Sequence, residues 1–415
     1  MTERMTFIHL VSEQTLQNLL PILAFRPARI VQVRSRGHNE AQARSLRSAV
    51  RYLARSCPTF RNYSPQFSEH ELSQSHPTLD KVSAELAPLF AAAGRTVLNY
   101  TGGTKMMSIG AFERALRCNA RALYCDTAKS RFVWTPGEKA CEGLDFQELP
   151  QLLSVPLLVT ANGLKSDRLR FKTPAAPELQ FGRGAWSFKR QASDLFLDYE
   201  RRLRGHFRCA RGKIPGSRRE IERLVADPLP SPPCDGVEGY LGCAAAHGLL
   251  RKERGSFFPR CRGSTRKELR RALEALSNLL DGSWLELFVL DLLQRNPAFG
   301  DARWSLQPLK QEEEAFGETD LACVDRQACL LRVISCKQSL LARTPLEHME
   351  ALSRRARTLG GSHARPMLAV LRVREEERAK YRAWARSLGV ELLIGDEIRE
   401  RFQPRNPTDQ GKAPS

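Results

Sequence analysis

The stretch Thr96-Val97-Leu98-Asn99-Tyr100-Thr101-Gly102-Gly103-Thr104-Lys105-Met106-Met107 decides how the first part of the chain reads. An apolar run that suits a buried strand ends in a polar Gly-Gly turn, and a helical stretch runs from Lys105 to Leu116. A turn between a strand and a helix collects unpaired backbone N–H groups, so it attracts anions. The two glycines let backbone approach a ligand closely, while Thr101, Thr104 and Lys105 add hydroxyls and a positive charge. This is the composition of a phosphate cradle. The GxxxxGK[ST] spacing of a Walker loop is absent, so nucleotide hydrolysis is not implied. Taken alone, a Gly-Gly turn before a helix is equally explained as plain turn chemistry.

Working outward, Phe7 to Val11 reads as a strand, followed by Leu16, Leu19, Leu20 and Leu23 on one helical face. The unit repeats: Ile30 to Val33 is strand-like, and Leu46, Val50 and Leu53 recur at helical spacing between Asn39 and Arg55. Another strand-like run follows at Ala122 to Cys125. Alternating strands and helices imply a mainly parallel sheet covered on both faces. Ligands of such sheets bind beyond the carboxyl ends of the strands, which makes Ser12 to Thr15, Ser35 to Asn39 and Thr101 to Lys105 the candidate loops. An ordinary dinucleotide-binding enzyme is excluded, because no GxGxxG follows the first strand.

At 415 residues the chain has room for two or three domains, and 42% hydrophobic with 27% charged residues is ordinary globular composition. No run approaches the roughly 20 apolar residues of a membrane helix. The start, Met1-Thr2-Glu3-Arg4-Met5, lacks a secretory signal, so a cytoplasmic protein is expected. Eleven cysteines are scattered without a CxxC pair, and Cys323, Cys329 and Cys336 sit in apolar runs, so neither zinc nor a disulfide framework is expected. A formal charge of +19 favours a polyanionic partner, with solubility as the plainer explanation.

Proline clusters at 174–177 and 228–233 mark a middle region with a helix at Leu195 to Leu203 and a helix, turn and short strand between Val237 and Phe258. It reads either as a winged-helix module or as a connector packed against both ends. From Leu279 onward an α/β pattern sharpens. A helix at Trp284 to Leu293 precedes strands at Trp304 to Leu309, Thr319 to Val324 and Cys329 to Ser335. A helix at Pro345 to Leu359, a strand at Met367 to Leu371, a charged helix and a strand at Glu391 to Leu393 complete it. The expected divisions are 1–155, 156–278 and 279–403, with a disordered tail at 404–415.

Strand alternation groups Glu318 with Asp320, and Val333 and Ser335 with Lys337; Glu286 lies on the preceding helix. Two carboxylates and a lysine are what phosphodiester hydrolysis requires: the carboxylates hold a divalent cation, and the lysine positions water or offsets developing charge. Singly, each is as easily a solvated edge residue or the polar side of an amphipathic helix.

The pair His9-Leu10-Val11-Ser12-Glu13-Gln14-Thr15 and Thr101-Gly102-Gly103-Thr104-Lys105-Met106-Met107 resembles the CARF domain of type III CRISPR ancillary nucleases. The resemblance covers roughly the first 150 residues. It implies a Rossmann-like domain that binds cyclic oligoadenylate, usually the tetra-adenylate, across the two-fold axis of a homodimer. Ser12, Gln14, Thr15 and Ser35 would line that pocket beside Thr101, Gly102, Gly103, Thr104 and Lys105. Glu286, Asp320 and Lys337, in their element order, resemble the PD-(D/E)XK nuclease fold of the same family, and Leu352 to Gly361 is similar to the helix that follows the lysine there. The implied activity is a nuclease dependent on Mg2+ or Mn2+, activated by cyclic tetra-adenylate and cutting DNA or RNA, with Glu286 and Asp320 holding the metal. One position departs: Ser335 stands where the family has Glu or Asp, and a hydroxyl is a weaker ligand for a hard cation. Glu318, or Glu347 on the following helix, is expected to supply the missing oxygen. The alternative is a catalytically degenerate sensor that binds the ligand and nucleic acid as a regulator.

Overall fold

The computed structural model describes residues 5–91, 95–137, 139, 142–164, 169–190, 194–207, 214, 217–308, 317–340 and 345–404. Of the tail expected to be disordered, 405–415 lies outside them, as does Leu309, the expected end of one strand.

The N-terminal part alternates strands and helices: β1 (Thr6–Leu10), α1 (Leu16–Phe25), β2 (Arg29–Arg34), α2 (Glu40–Ser56), β3 (Gln66–Glu71), α3 (Leu79–Ala91), β4 (Thr96–Asn99), α4 (Lys105–Arg117), β5 (Arg121–Asp126) and β6 (Arg131–Thr135). The sheet order is β3-β2-β1-β4-β5-β6, parallel except for the edge strand β6. Phe7 and Ile30 face α1 and α2, whereas Ile8, Val31 and Leu98 face α3 and α4. Burial on both faces explains why these strands read as continuous apolar runs. β3 (QFSEHE) escapes such a reading because it is an edge strand of alternating exposure.

The middle region holds α5 (Val155–Ala161), β7 (Leu169–Lys172), α6 (Ala176–Lys189), α7 (Asp194–Phe207), α8 (Arg218–Ala226), α9 (Asp235–Ala246), the antiparallel hairpin β8 (Leu250–Glu253) and β9 (Ser256–Pro259), and α10 (Arg266–Asn278). A π-helical turn, Leu279–Ser283, leads into α11 (Trp284–Arg295). Then come β10 (Phe299–Pro308), β11 (Thr319–Asp325), β12 (Leu330–Ser339), α12 (Pro345–Gly360), β13 (Ala364–Arg372), α13 (Glu375–Ser387), β14 (Glu391–Ile394) and α14 (Asp396–Phe402). The second sheet runs β14-β13-β12-β11-β10-β7, so the middle region supplies its edge strand.

The chain is therefore α/β, with a Rossmann-like sheet at the N-terminus and a second, mixed sheet at the C-terminus. Leu331, Val333 and Leu368 on one face of the second sheet join Met349 and Leu352 of α12 and Leu157 of α5 in a core that continues into the first domain. Ile334, Met367 and Ala369 on the other face pack with Leu287, Phe288 and the middle region. At about 25 cal/mol per Å² of apolar surface, continuous burial of this kind makes the second sheet the common support of both neighbours.

Candidate functional site

In the first sheet the chain moves outward from β1 to β3 and then returns to place β4 on the other side of β1. The order reverses there, so the loops after β1 and β4 diverge and leave a crevice. Those loops are Ser12 to Thr15 and Thr101 to Lys105. A Cβ on Gly102 would lie 2.1 Å from the Leu10 carbonyl oxygen and 3.2 Å from Ser12 Oγ, so only glycine lets the loops approach this closely. Gly103 has φ +78°, the left-handed region that favours glycine. Thr104 caps α4 by accepting the Met107 N–H at 3.3 Å, and Lys105, the first residue of that helix, is exposed.

Asn99 organises the floor. Its amide donates to Asn18 Oδ1 at 2.9 Å and to His9 Nδ1 at 3.0 Å, and its Oδ1 accepts from the Thr101 hydroxyl at 2.7 Å. Burial pushes His9 down to about 3, so the ring is neutral at pH 7 and holds the loop without adding charge. Thr101 Oγ1 also accepts the Cys125 N–H at 2.6 Å, which commits it to loop shape.

The other expected residues divide. Ser12 adjoins Gly102 and accepts the Gln14 N–H at 3.3 Å, and Gln14 itself is exposed. Ser35 is buried, its hydroxyl donating to Met107 Sδ at 3.1 Å, so it supports α4 from below. Thr15 turns away from the crevice. It already has helical dihedrals, φ −61° and ψ −28°, and lines a cavity of about 20 Å³ with Leu158, Asn162, Gly360 and His363.

A second cluster lies on the C-terminal sheet. β11 and β12 pair with Leu321 opposite Ile334, which sets Asp320 opposite Ser335. Asp320 Oδ2 accepts from the Ser335 hydroxyl at 2.9 Å and the Cys336 N–H at 2.7 Å, and Lys337 Nζ stands 3.5 Å away. From α11, after the π-helical turn, Glu286 joins this group, its Oε2 accepting the Trp304 Nε1–H at 2.7 Å. Burial, and then the Asp320 charge, push the Glu286 carboxyl up to about 7, against the pull of Trp304 and Lys337. From α12, Arg355 feels Asp320 and Glu318, and burial followed by the Lys337 charge lowers His348.

Glu318 precedes β11 and turns towards the sheet edge. It accepts from Ser305, and Lys172 Nζ of β7 lies 3.6 Å from its Oε1. Burial opposes its charge, but the hydrogen bonds from Ser305 and Gln307 outweigh that and lower its pKa. Ser335, where an acid was expected, is therefore engaged with Asp320, and Glu318 with Ser305 and Lys172. Two hard carboxylates and a lysine suit Mg2+ or Mn2+, since such ions are commonly held by one or two protein carboxylates and completed by water and substrate phosphate. Among the described residues no group of three or more His, Cys, Asp or Glu side chains forms a fuller site. Among those same residues no helix is long and apolar enough to cross a membrane.

The reading from sequence passed over Asn99 as the hub, Trp304, and the two α12 groups. A polar residue closing a buried strand is the signal that Asn99 offered. Trp304 and Arg355 gave none, because their partners are distant in sequence.

A crevice at the switch point of a Rossmann-like sheet, joined through one core to a sheet bearing an acidic, lysine-containing cluster, defines a two-part α/β protein with a ligand-binding module ahead of a candidate hydrolytic one. Residues 6–142 match the family model described as the Card1 CARF domain. The whole fold is similar to protein VC1899 from Vibrio cholerae, at 16% identity, 96% of each chain and a TM-score of 0.66. It is also similar to Can2 from Sulfobacillus thermosulfidooxidans in complex with cyclic tetra-adenylate, at 17% identity, 96% of this chain, 97% of that one and a TM-score of 0.59. None of the curated proteins matches the chain.

Proposed function

We propose that the protein is a cyclic oligoadenylate-activated, metal-dependent nuclease of type III CRISPR defence, acting as a homodimer. The observation that carries this reading is the convergence of Glu286, Asp320 and Lys337 on a sheet that shares a core with a CARF domain. The solved relative Can2 contains cyclic tetra-adenylate, which supports that ligand for the crevice. Dimerisation is supported by Met106 and Ile109, 43% and 53% exposed on α4 beside the Thr101 to Lys105 loop; a second copy related by two-fold symmetry would cover them and match a two-fold ligand.

The C-terminal cluster fits the PD-(D/E)XK arrangement. Glu286 and Asp320 would hold the cation, which when bound polarises the scissile phosphate and lowers the pKa of water. The Ser335 hydroxyl and the Cys336 N–H aim Asp320, the Trp304 N–H aims Glu286, and Lys337 offsets charge that develops on the phosphate oxygens. Coupling has a physical route, because α12 carries His348 and Arg355 near the cluster and ends at Gly360, beside Thr15 of the sensor loop.

The second reading, a sensor that binds nucleic acid without cutting it, draws on the hydroxyl at Ser335. Incubation of plasmid, single-stranded DNA and RNA with manganese, with and without cyclic tetra-adenylate, separates the two. Ligand-dependent cleavage supports the nuclease, and cleavage by Ser335→Glu alone supports the binding protein.

A further inference from the structure

A cleft of about 650 Å³ opens directly from the nuclease cluster. Glu286 and Lys337 line one side, continued by Gln338 and Ser339 at the end of β12; Arg201 and Arg204 of α7 form the other, with Arg372 of β13 also reaching it. From this we infer that α7, outside the nuclease sheet, is the wall that holds the phosphodiester backbone of the substrate strand. The inference rests on the nuclease reading and assigns that site its substrate-gripping surface.

Three features support it. Arg201 and Arg204 are three residues apart on a helix, so they share a face. Arg201 is 72% exposed, with its guanidinium 3.1 Å from Asp198, whereas Arg204 is steadied by Asp281 at 2.9 Å. Second, α7 is fixed relative to the cluster by a buried ion pair. Glu200, the residue before Arg201, meets Lys189 of α6, whose ammonium lies 4.8 Å from the Phe196 ring centroid, 4.4 Å from that of Tyr240 and 5.8 Å from that of Trp284. Trp284 opens the helix that carries Glu286, so one anchor sets both walls. Third, none of the described residues lining the cleft is aromatic. The cleft therefore offers no aromatic stacking platform, and its arginines are suited to contact phosphates, which are the same in every sequence.

The experiment uses full-length Asp320→Asn protein with cyclic tetra-adenylate, so that bound strands survive. Binding of fluorescein-labelled single-stranded DNA, single-stranded RNA and duplex DNA is measured by anisotropy across roughly 50–200 mM salt. Adding Arg201→Ala should weaken binding of the preferred strand about tenfold and lower the slope of log affinity against log salt by about 1. Arg202→Ala is the control, since Arg202 lies on the same helix, with its guanidinium 5.5 Å from the Tyr199 ring centroid, and does not line the cleft. The inference is overturned if Arg201→Ala leaves affinity and slope unchanged, if Arg202→Ala has an equal effect, or if none of the three strands binds. Loss of binding in Arg201→Ala, with no cleavage of any strand by the native protein in magnesium or manganese, keeps the cleft and removes the nuclease reading. Cleavage by the native protein with unchanged binding in Arg201→Ala does the reverse.

Discussion

Glu286→Gln removes a charge that the fold holds at a cost. Burial and the Asp320 carboxylate raise this carboxyl from 4.5 to about 7. Because its folded-state value is raised, its contribution to stability is fully present below about 4.5 and is lost as pH rises through about 7. At about 1.4 kcal/mol per pH unit across that window, and allowing for its coupling to Asp320, the ionised side chain costs about 2–3 kcal/mol at pH 8. Glutamine keeps the shape and the acceptor for Trp304 Nε1–H, 2.7 Å away in the native protein. In EDTA at pH 8 the variant should therefore be more stable than the native protein by about that amount, within about 1 kcal/mol of it at pH 5, and nearly equal to it at pH 4. Urea unfolding followed by tryptophan fluorescence reads the difference, since Trp284 and Trp304 flank the site. Magnesium or manganese should stabilise the native protein at pH 8 and the variant far less, because binding to the folded state adds stability only where the ligands remain. A variant no more stable than the native protein at pH 8, or a gap that widens as pH falls, would refute the assignment of a strained carboxylate pair.

Lys105→Glu puts a like charge where a ligand phosphate meets the start of α4, and calorimetry should find cyclic tetra-adenylate bound at least about tenfold more weakly, with an unchanged melting temperature because Lys105 is exposed. Ser335→Ala leaves Asp320 oriented by the Cys336 N–H without the hydroxyl, so cleavage should slow roughly three- to tenfold, the kinetic equivalent of about 1 kcal/mol for one hydrogen bond; an unchanged rate would show that the serine positions nothing. Ile109→Glu should turn a dimer into a monomer in light scattering and weaken ligand binding with it, and a native protein that is monomeric with and without ligand would count against the homodimer. Asn162→Ala should lower ligand-stimulated cleavage by about two- to tenfold while leaving ligand affinity within about twofold, since one or two hydrogen bonds of about 1 kcal/mol each are at stake.

The fold was legible wherever burial imposes a pattern. Strands covered on both faces, such as β1, β2, β4 and β12, are apolar runs that end in polar loops, so both sheets could be placed from the sequence. β3 and β7 were not visible, because edge strands of alternating or high exposure carry no continuous run. Within the site, residues whose roles follow from local backbone were readable: Gly102, Gly103 and Thr104 act through the turn and the cap they form. Roles set by contacts between distant segments were not. Thr15 sits three residues from Ser12 but stands at the start of α1 and lines a cavity with Asn162, and Trp304 of β10 finds Glu286 of α11 across 18 residues of sequence. Ser335 read as a missing ligand; its cross-strand register makes it a hydrogen-bond donor to Asp320.

That register bears on how a distant ligand can affect the cluster. α12 packs on β12 and β13 of the second sheet, with Met349, Leu352, Ala356 and Leu359 buried beneath it. At its far end the Asn162 amide donates to the carbonyls of Thr358 at 2.9 Å and Arg357 at 3.4 Å, joining α12 to α5 and through α5 to the sensor core. Gly361 has φ +59°, and a Cβ there would lie 2.6 Å from Asn162 Oδ1, so the junction has no slack. His363, lowered to about 4 by burial, stays neutral beside it and adds no charge that a small shift would have to carry. Allosteric coupling is commonly about 1–3 kcal/mol, an amount that two such hydrogen bonds and a changed charge interaction of Arg355 with Asp320 can supply. A ligand that reshapes Ser12 to Thr15 therefore need not reorganise the second sheet; it needs only to favour one seating of α12 over another.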